Sequence, residues 1–362
     1  MKIAIKVVAV LLVVSVVVSA GFIIMKSSQG ISYDISTIET LVTDVEIVSE
    51  GTDTVILKKS GDGEFKVLMF TDTHINGKKT EDAMTVGYVV ENITEHNPDL
   101  VIFGGDNISS GFSKKRTHQF AEIMEKLGIY WAAVLGNHEG AGFLAVSREE
   151  NIEIFSSYSH CLMRDGRADV DGNGNYSVVI LNSDDTVRQV IFLMDTGSYM
   201  TEESKKEYGV SKEGEVYDGV KASQVKWYED KHDEIEDQYG EFKSVTVVHI
   251  PPYQTEEHFE GSELIFGEKR EGICESGFDA GLFEAMLQKG SAQAVFFGHD
   301  HVNDFAYDCD GIRLSYIQTS GYGVYNMESK FDAPENEWIQ GCTLVEFAAD
   351  GSYSEQRIFN HK

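Results

Sequence analysis

From about residue 64 onward the chain sets short apolar runs against polar residues that follow each one at once. The runs are "FKVLMF" (65–70), "LVIFG" (100–104), "WAAVLG" (131–136), "SVTVVHI" (244–250) and "AVFFG" (294–298). They are too short for most helices and read as buried strands. Longer mixed segments at 81–96, 114–128, 221–238 and 278–289 lie between or beside them and suit helices. Strand alternating with helix predicts an α/β fold with a sheet covered on both faces. The stretch 165–220 has another texture: Gly and Asn in "DGRADVDGNGNYSVVILN" precede the β-favouring "VRQVIFLMDTGSY", which predicts antiparallel hairpins. Before residue 64, Ser, Thr, Asp and Gly surround the alternating "TDVEIVSE" and "DTVILKKS". This predicts a tether with edge strands over 27–55, and a single domain over 56–362.

The first 26 residues stand apart. Residues 7–25 form an uncharged, mostly apolar run behind Lys2 and Lys6, 19 residues long. That length spans a bilayer and exceeds a usual signal-peptide core. "VSA" at 18–20 also fits a cleavage site, so a removed signal peptide and an uncleaved transmembrane signal anchor are both open. Either places the remainder outside the membrane, anchored to it or secreted, with the two lysines left inside. No cysteine adjoins the run, which argues against a lipoprotein anchor.

Composition narrows the partners. The formal net charge is −30, from 60 acidic and 30 basic residues. Such a surface repels phosphate backbones, and binding to nucleic acid duplexes is not expected. Cys161, Cys274, Cys309 and Cys342 are widely spaced without a C-x-x-C, which disfavours a zinc finger. In an exported chain disulfides are permitted, with Cys309–Cys342 the preferred pair and buried free thiols the alternative.

Metal-ligand residue types follow, or end, all five apolar runs. "TDTH" supplies Asp72 and His74, "GDN" supplies Asp106, and "NHE" supplies Asn137 and His138. His249 ends its run, and His299 and His301 follow the last. Residues i and i+2 of a strand point the same way, so Asp72/His74 and His299/His301 each aim two ligands at one place. Any one of these pieces alone is an ordinary polar loop. Five of the eleven histidines at these strand ends are not an ordinary coincidence. Mixed carboxylate, amide and imidazole donors suit Zn, Mn or Fe and are too nitrogen-rich for Ca or Mg. Seven ligand-type side chains besides His138 exceed one open site and fit two metal ions that share a carboxylate.

D-x-H, G-D-N, G-N-H-E, a later strand-end His and G-H-x-H, in that order, resemble the calcineurin-like metallophosphoesterases over about residues 56–360. "GEFKVLMFTDTH", "GNGNYSV", "DGVKASQVKWYE", "FGHDHVNDF" and "SGYGVY" are similar to the branch related to purple acid phosphatases. The resemblance implies a four-layer αββα sandwich, two mixed β-sheets flanked by helices. It implies two divalent or mixed-valence transition metal ions. Asp72, His74 and His301 would hold one, and Asn137, His249 and His299 the other, with Asp106 bridging. It implies hydrolysis of a phosphoester by a metal-activated hydroxide. It makes His138 a catalytic group that stabilises the transition state or protonates the leaving group, with Glu139 expected to orient it or to lie solvated. A catalytically silent, surface-tethered binding protein that keeps the fold is the alternative. One departure is plain: where purple enzymes carry a tyrosine ligand three residues after the bridging Asp, this chain has Ser109.

Other signals carry less. "DVDGNG" (169–174) starts like an EF-hand loop, but its twelfth position is Ile180, where a bidentate Glu is required. Arg148 reads as a surface ion pair or a contact to substrate phosphate. Asp195, Asn303 and Asp304 read as groups supporting the ligands.

Overall fold

The computed structural model describes residues 30–61, 63–334 and 337–360, together with Gly21. The apolar run at 7–25 therefore lies, apart from Gly21, outside the described residues. Among the described residues no helix is long and apolar enough to cross a membrane.

Fourteen strands form two sheets among the described residues. In chain order they are β1 (Val45–Glu50), β2 (Thr54–Lys59), β3 (Phe65–Phe70), β4 (Leu100–Phe103), β5 (Trp131–Ala133), β6 (Tyr176–Leu181) and β7 (Val187–Leu193). Then come β8 (Ser244–Val247), β9 (Leu264–Phe266), β10 (Ala292–Phe297), β11 (Ala306–Cys309), β12 (Ile312–Tyr316), β13 (Gly341–Phe347) and β14 (Tyr353–Phe359). One sheet has the order β1-β2-β6-β7-β8-β10-β12-β11-β9 and the other β14-β13-β3-β4-β5. Both are mixed: β3, β4 and β5 run parallel, as do β7, β8, β10 and β12 and the pair β2–β6, while β1–β2, β6–β7, β11–β12, β9–β11, β3–β13 and β13–β14 are antiparallel. The five apolar runs of the sequence are β3, β4, β5, β8 and β10.

Alternation along the central strands explains the layering. Val178, Ile180, Ile191, Leu193, Ala294 and Phe296 join one core, which also holds the five-stranded sheet and the helices Lys79–His96, Lys114–Leu127 and Arg148–Ser156. Their neighbours Val179, Leu181, Val190, Phe192, Val295 and Phe297 join a second core with the helices Ala222–Tyr239 and Leu282–Lys289. Adjacent residues pointing to opposite faces, both apolar, are what a sheet buried on both sides requires. The result is the four-layer arrangement of helices, sheet, sheet and helices.

Three features differ from the expectations above. The 165–220 stretch holds one hairpin, β6–β7; beyond it lie a short helix, Glu202–Glu207, and one isolated antiparallel bridge, Tyr199–Tyr217. Strand β2 crosses residue 55 and pairs in parallel with β6, so the β1–β2 hairpin is integral to the nine-stranded sheet, with β1 at its edge. The Cys309–Cys342 disulfide is not formed: all four cysteines are free, Cys309 lying on β11 of one sheet and Cys342 on β13 of the other. Cys342 is packed instead beside the Tyr88 hydroxyl and the Asn92 amide.

Candidate metal centre

The carboxyl ends of β3, β4 and β5 and those of β8 and β10 open onto one cleft, so both sheets contribute to the site. Each strand breaks just before its polar residues. Asp72, His74, Asp106 and His299 all have left-handed backbones, with φ of 52°, 42°, 50° and 79°. Non-glycine residues seldom adopt this region, and where they do the surrounding structure must hold them. The glycines beside them make room. A Cβ on Gly105, itself at φ 101°, would lie 2.4 Å from His249 Nδ1, and one on Gly298 would lie 2.6 Å from Asp72 Oδ2.

Two groups of potential ligands result. Asp72, His74 and His301 form one, and Asp106, His249 and His299 the other; all six are buried, and within each group the ligand atoms lie within 4.8 Å of one another. Asp106 Oδ2 stands between the groups, 3.4 Å from His74 Nε2 and 3.3 Å from His249 Nε2. Asn137 is brought to the second group, its Oδ1 3.2 Å from His249 Nε2. All seven residues expected as ligands thus meet in one place.

Surrounding hydrogen bonds aim them. His249 Nδ1–H donates to the Gly104 carbonyl (2.9 Å) and His301 Nδ1 lies 3.2 Å from the Tyr325 carbonyl, which turns both Nε2 atoms inward. The outer Asp72 oxygen, Oδ2, accepts from Thr71 Oγ1 (2.9 Å) and the His299 amide (3.0 Å). Asp106 Oδ1 accepts from the His138 amide at 2.7 Å. What is left over is informative. Asp72 Oδ1, His74 Nε2 and His299 Nε2 are buried with no hydrogen-bond partner. Buried polar atoms without partners cost free energy, and a cation bound among them would relieve it. Imidazole, carboxylate and amide donors therefore fit two transition metal ions.

Electrostatics agree. Burial raises the Asp72 carboxyl, but His301, His74 and His249 outweigh it and hold it well below the usual carboxylate range. Asp106 is likewise held far down against burial by His249 and His74. Burial works against charge on His249, yet Asp106 and Asp72 raise it to about 10, while burial and His249 push His299 down to about 3. The two carboxylates demand positive charge in this pocket, whether from imidazolium or from metal.

Above the ligands the cleft measures about 720 Å³. His138, exposed between buried neighbours, lines it, and its ring lies 5.1 Å from that of His74. Ser109 also lines it, at the position where a tyrosine ligand would stand.

Two supporting residues do work other than that expected. Glu139 neither orients His138 nor lies in solvent. It is buried, and its two oxygens accept backbone N–H groups of Asp106 (3.1 Å), Asn107, Ile108 (3.1 Å) and Gly136 (2.8 Å), tying the β4 and β5 loops together. Burial and the Asp106 charge push it up to about 7. Arg148 is neither a surface ion pair nor aimed at the cleft: its guanidinium bonds the Gly136 carbonyl and the buried Asp195 carboxylate. Asp195 also accepts from the Asn173 (2.7 Å) and Gly197 (3.0 Å) amides, so the EF-hand-like loop is a structural brace. Asn303 and Asp304 hold the chain at Glu268–Glu271. Tyr217 and Tyr325 also belong to the site, supplied by the loops "VYDGV" (216–220) and "SGYGVY" (320–325). Tyr217 sets its ring edge-to-face at 4.3 Å from His299, and Tyr325 stacks at 4.2 Å on His301.

The sequence profile of calcineurin-like phosphoesterases matches residues 65–303, which contain all seven ligand candidates. The chain belongs to the calcineurin-like phosphoesterase family. Membership implies a site for two metal ions, their identity left open. Among curated relatives, the "probable inactive purple acid phosphatase 14" of Arabidopsis thaliana is 30% identical over 306 residues, covering 74% of this chain and 73% of that protein. "Phosphatase DCR2" of Saccharomyces cerevisiae is 27% identical over 279 residues, covering 69% of this chain and 46% of that one. Among solved structures, a dimetal phosphatase from Danio rerio aligns over 83% of this chain and 100% of its own, at 14% identity and a TM-score of 0.44.

Proposed function

We propose that this phosphoesterase-family chain hydrolyses phosphate esters at a dinuclear centre of Zn, Mn or Fe. The observation that carries the reading is the pair of complete, buried ligand groups with Asp106 between them and three polar atoms lacking partners. Asp72, His74 and His301 would hold one ion and Asn137, His249 and His299 the other, with Asp106 shared. When bound, such ions supply Lewis acidity, which acidifies water to a nucleophile near neutral pH and neutralises phosphoryl oxygens. The protein supplies the remainder. His138 projects into the cleft beside His74, where its imidazole meets the charge developing on the phosphoryl oxygens or gives a proton to the departing alkoxide. Its backbone amide is fixed to Asp106 Oδ1, so catalyst and shared ligand keep a constant relation.

The Arabidopsis relative's name contains the word inactive, and the second reading is a silent member that binds without turnover. Metal analysis with turnover of p-nitrophenyl phosphate and its bis-ester separates the two. Asp106→Ala and His301→Ala are expected to lower bound metal and abolish turnover together. Full activity with two metals in either variant would overturn the dinuclear reading; two metals without turnover in the parent protein would favour the silent one. The apolar run at 7–25 behind Lys2 and Lys6 supports an extracytoplasmic site, anchored or secreted. Protease accessibility of the domain in intact cells tests this, and a protected domain would refute it.

A further inference from the structure

The two metal-ligand groups each carry an aromatic ring on the cleft side. Tyr217 stands edge-to-face on His299 at 4.3 Å, and Tyr325 stacks on His301 at 4.2 Å with 14° between the planes; both line the cleft. The apolar surface continues outward. Tyr199 stacks on Tyr217 at 5.1 Å and is 39% exposed, while Tyr325 is 41% exposed. From the His138 side, Ala141 and Gly142 line the cleft and lead into Phe143, which is 68% exposed. Basic charge is scarce by contrast. The one Lys or Arg among the described residues lining the cleft is Lys78, whose Nζ is donated to the Gly323 carbonyl at 2.7 Å.

We infer that the cleft selects phosphoesters of small molecules whose leaving group carries an uncharged aromatic ring, with Tyr217 and Tyr325 as the specificity-determining residues. This rests on the reading of the site as a metal-dependent phosphoester centre. The argument is one of complementarity. A phosphoryl group bound over His299 and His301 carries its ester substituent past one ring or the other. A volume of about 720 Å³ accommodates a substituent of that size. An aryl group packs against the exposed edges of these rings and buries apolar area there, whereas a leaving group with a second phosphate finds only Lys78 among the cleft-lining residues, Lys330 over the Tyr325 ring being paired with Glu271.

The test uses binding, so that intrinsic leaving-group reactivity does not enter. Metal-reconstituted protein is titrated calorimetrically with phenylphosphonate and with methylphosphonate, and bound metal is measured on the same samples. Phenylphosphonate is expected to bind roughly 3- to 10-fold more tightly, the range of an aromatic pair. Tyr217→Leu and Tyr325→Leu should each reduce that ratio, and the double variant should bring it close to one; Tyr217→Phe and Tyr325→Phe should retain it. Equal affinities for the two phosphonates in the parent protein, or a ratio untouched in the double variant, would overturn the inference while leaving the phosphoester reading standing. Failure of the fully metal-loaded parent protein to bind either phosphonate would overturn both.

Discussion

Glu139→Gln isolates the residue that joins the two metal-bearing loops. Each Glu139 oxygen accepts two backbone amides: Oε2 those of Asp106 and Gly136, and Oε1 those of Asn107 and Ile108. Glutamine offers one oxygen and one NH₂ group of the same shape. In either orientation two buried N–H groups then face a donor. An unsatisfied buried donor costs about 1–3 kcal/mol, so the pair costs about 2–6 kcal/mol. That is a large share of the 5–15 kcal/mol typical of a folded domain. The assay is urea denaturation of metal-free protein at pH 8, above the value of about 7 to which burial and Asp106 push this carboxyl, so that the comparison is with the carboxylate. The expected result is a lower midpoint with an unchanged slope, and a weaker metal affinity because the Asp106 backbone loses its anchor. A change below about 0.5 kcal/mol, with metal affinity intact, would show that these four contacts do not hold the loops.

His138→Ala is expected to leave metal content intact and to lower kcat by roughly 10²- to 10⁴-fold, the range for a general acid–base group; a loss of metal like that of His301→Ala would make it a ligand instead. Iron-loaded protein should lack a strong purple band, because Ser109 occupies the tyrosine position, the Tyr325 hydroxyl is bonded to Glu271 Oε1 (3.1 Å) and the Tyr322 hydroxyl to Asn360; a visible spectrum decides this. Glu355, whose side chain is 1% exposed, is raised from 4.5 to about 7 by burial, against Ser315, Arg313 and Arg357. An acid with a raised pKa favours the fold while protonated, so stability falls as pH rises from 4.5 to about 7. Glu355→Gln should remove this loss, worth about 3 kcal/mol at most; parallel denaturation at pH 5 and 7.5 that shows no difference in slope would refute it.

The part of the site that was legible in sequence is the part that strand ends place. A short apolar run followed at once by Asp or His is a local pattern, and five repeats located β3, β4, β5, β8 and β10 together with every ligand candidate. Backbone-directed roles left no such trace. Glu139 works by accepting amide protons, which nearly every residue offers, so no partner type marks it. Arg148 meets Asp195 from 47 residues away, and nothing near either announces the other. Cys309 and Cys342 follow one another only in the order of the cysteines, because the fold sends β11 and β13 to different sheets. Tyr217 and Tyr325 were hidden because a tyrosine in a glycine-rich loop has many ordinary uses.

The pairing of β13 with β3 has a consequence for how the protein is made. Strand β3 leads into the first two ligand candidates but lies inside its sheet, between β4 and β13, with Val67 opposite Val345 and Met69 opposite Thr343. A ribosome delivers β3 early and β13 only after residue 340 has been synthesised. Throughout that interval one side of an apolar strand stays open as a template for wrong partners. His301 is also still missing for most of it, so no metal can fasten the strand ends in the meantime. If the chain is exported, it must be shielded until the last hairpin arrives. A truncation before β13 is therefore expected to aggregate during synthesis, rather than to yield a smaller enzyme.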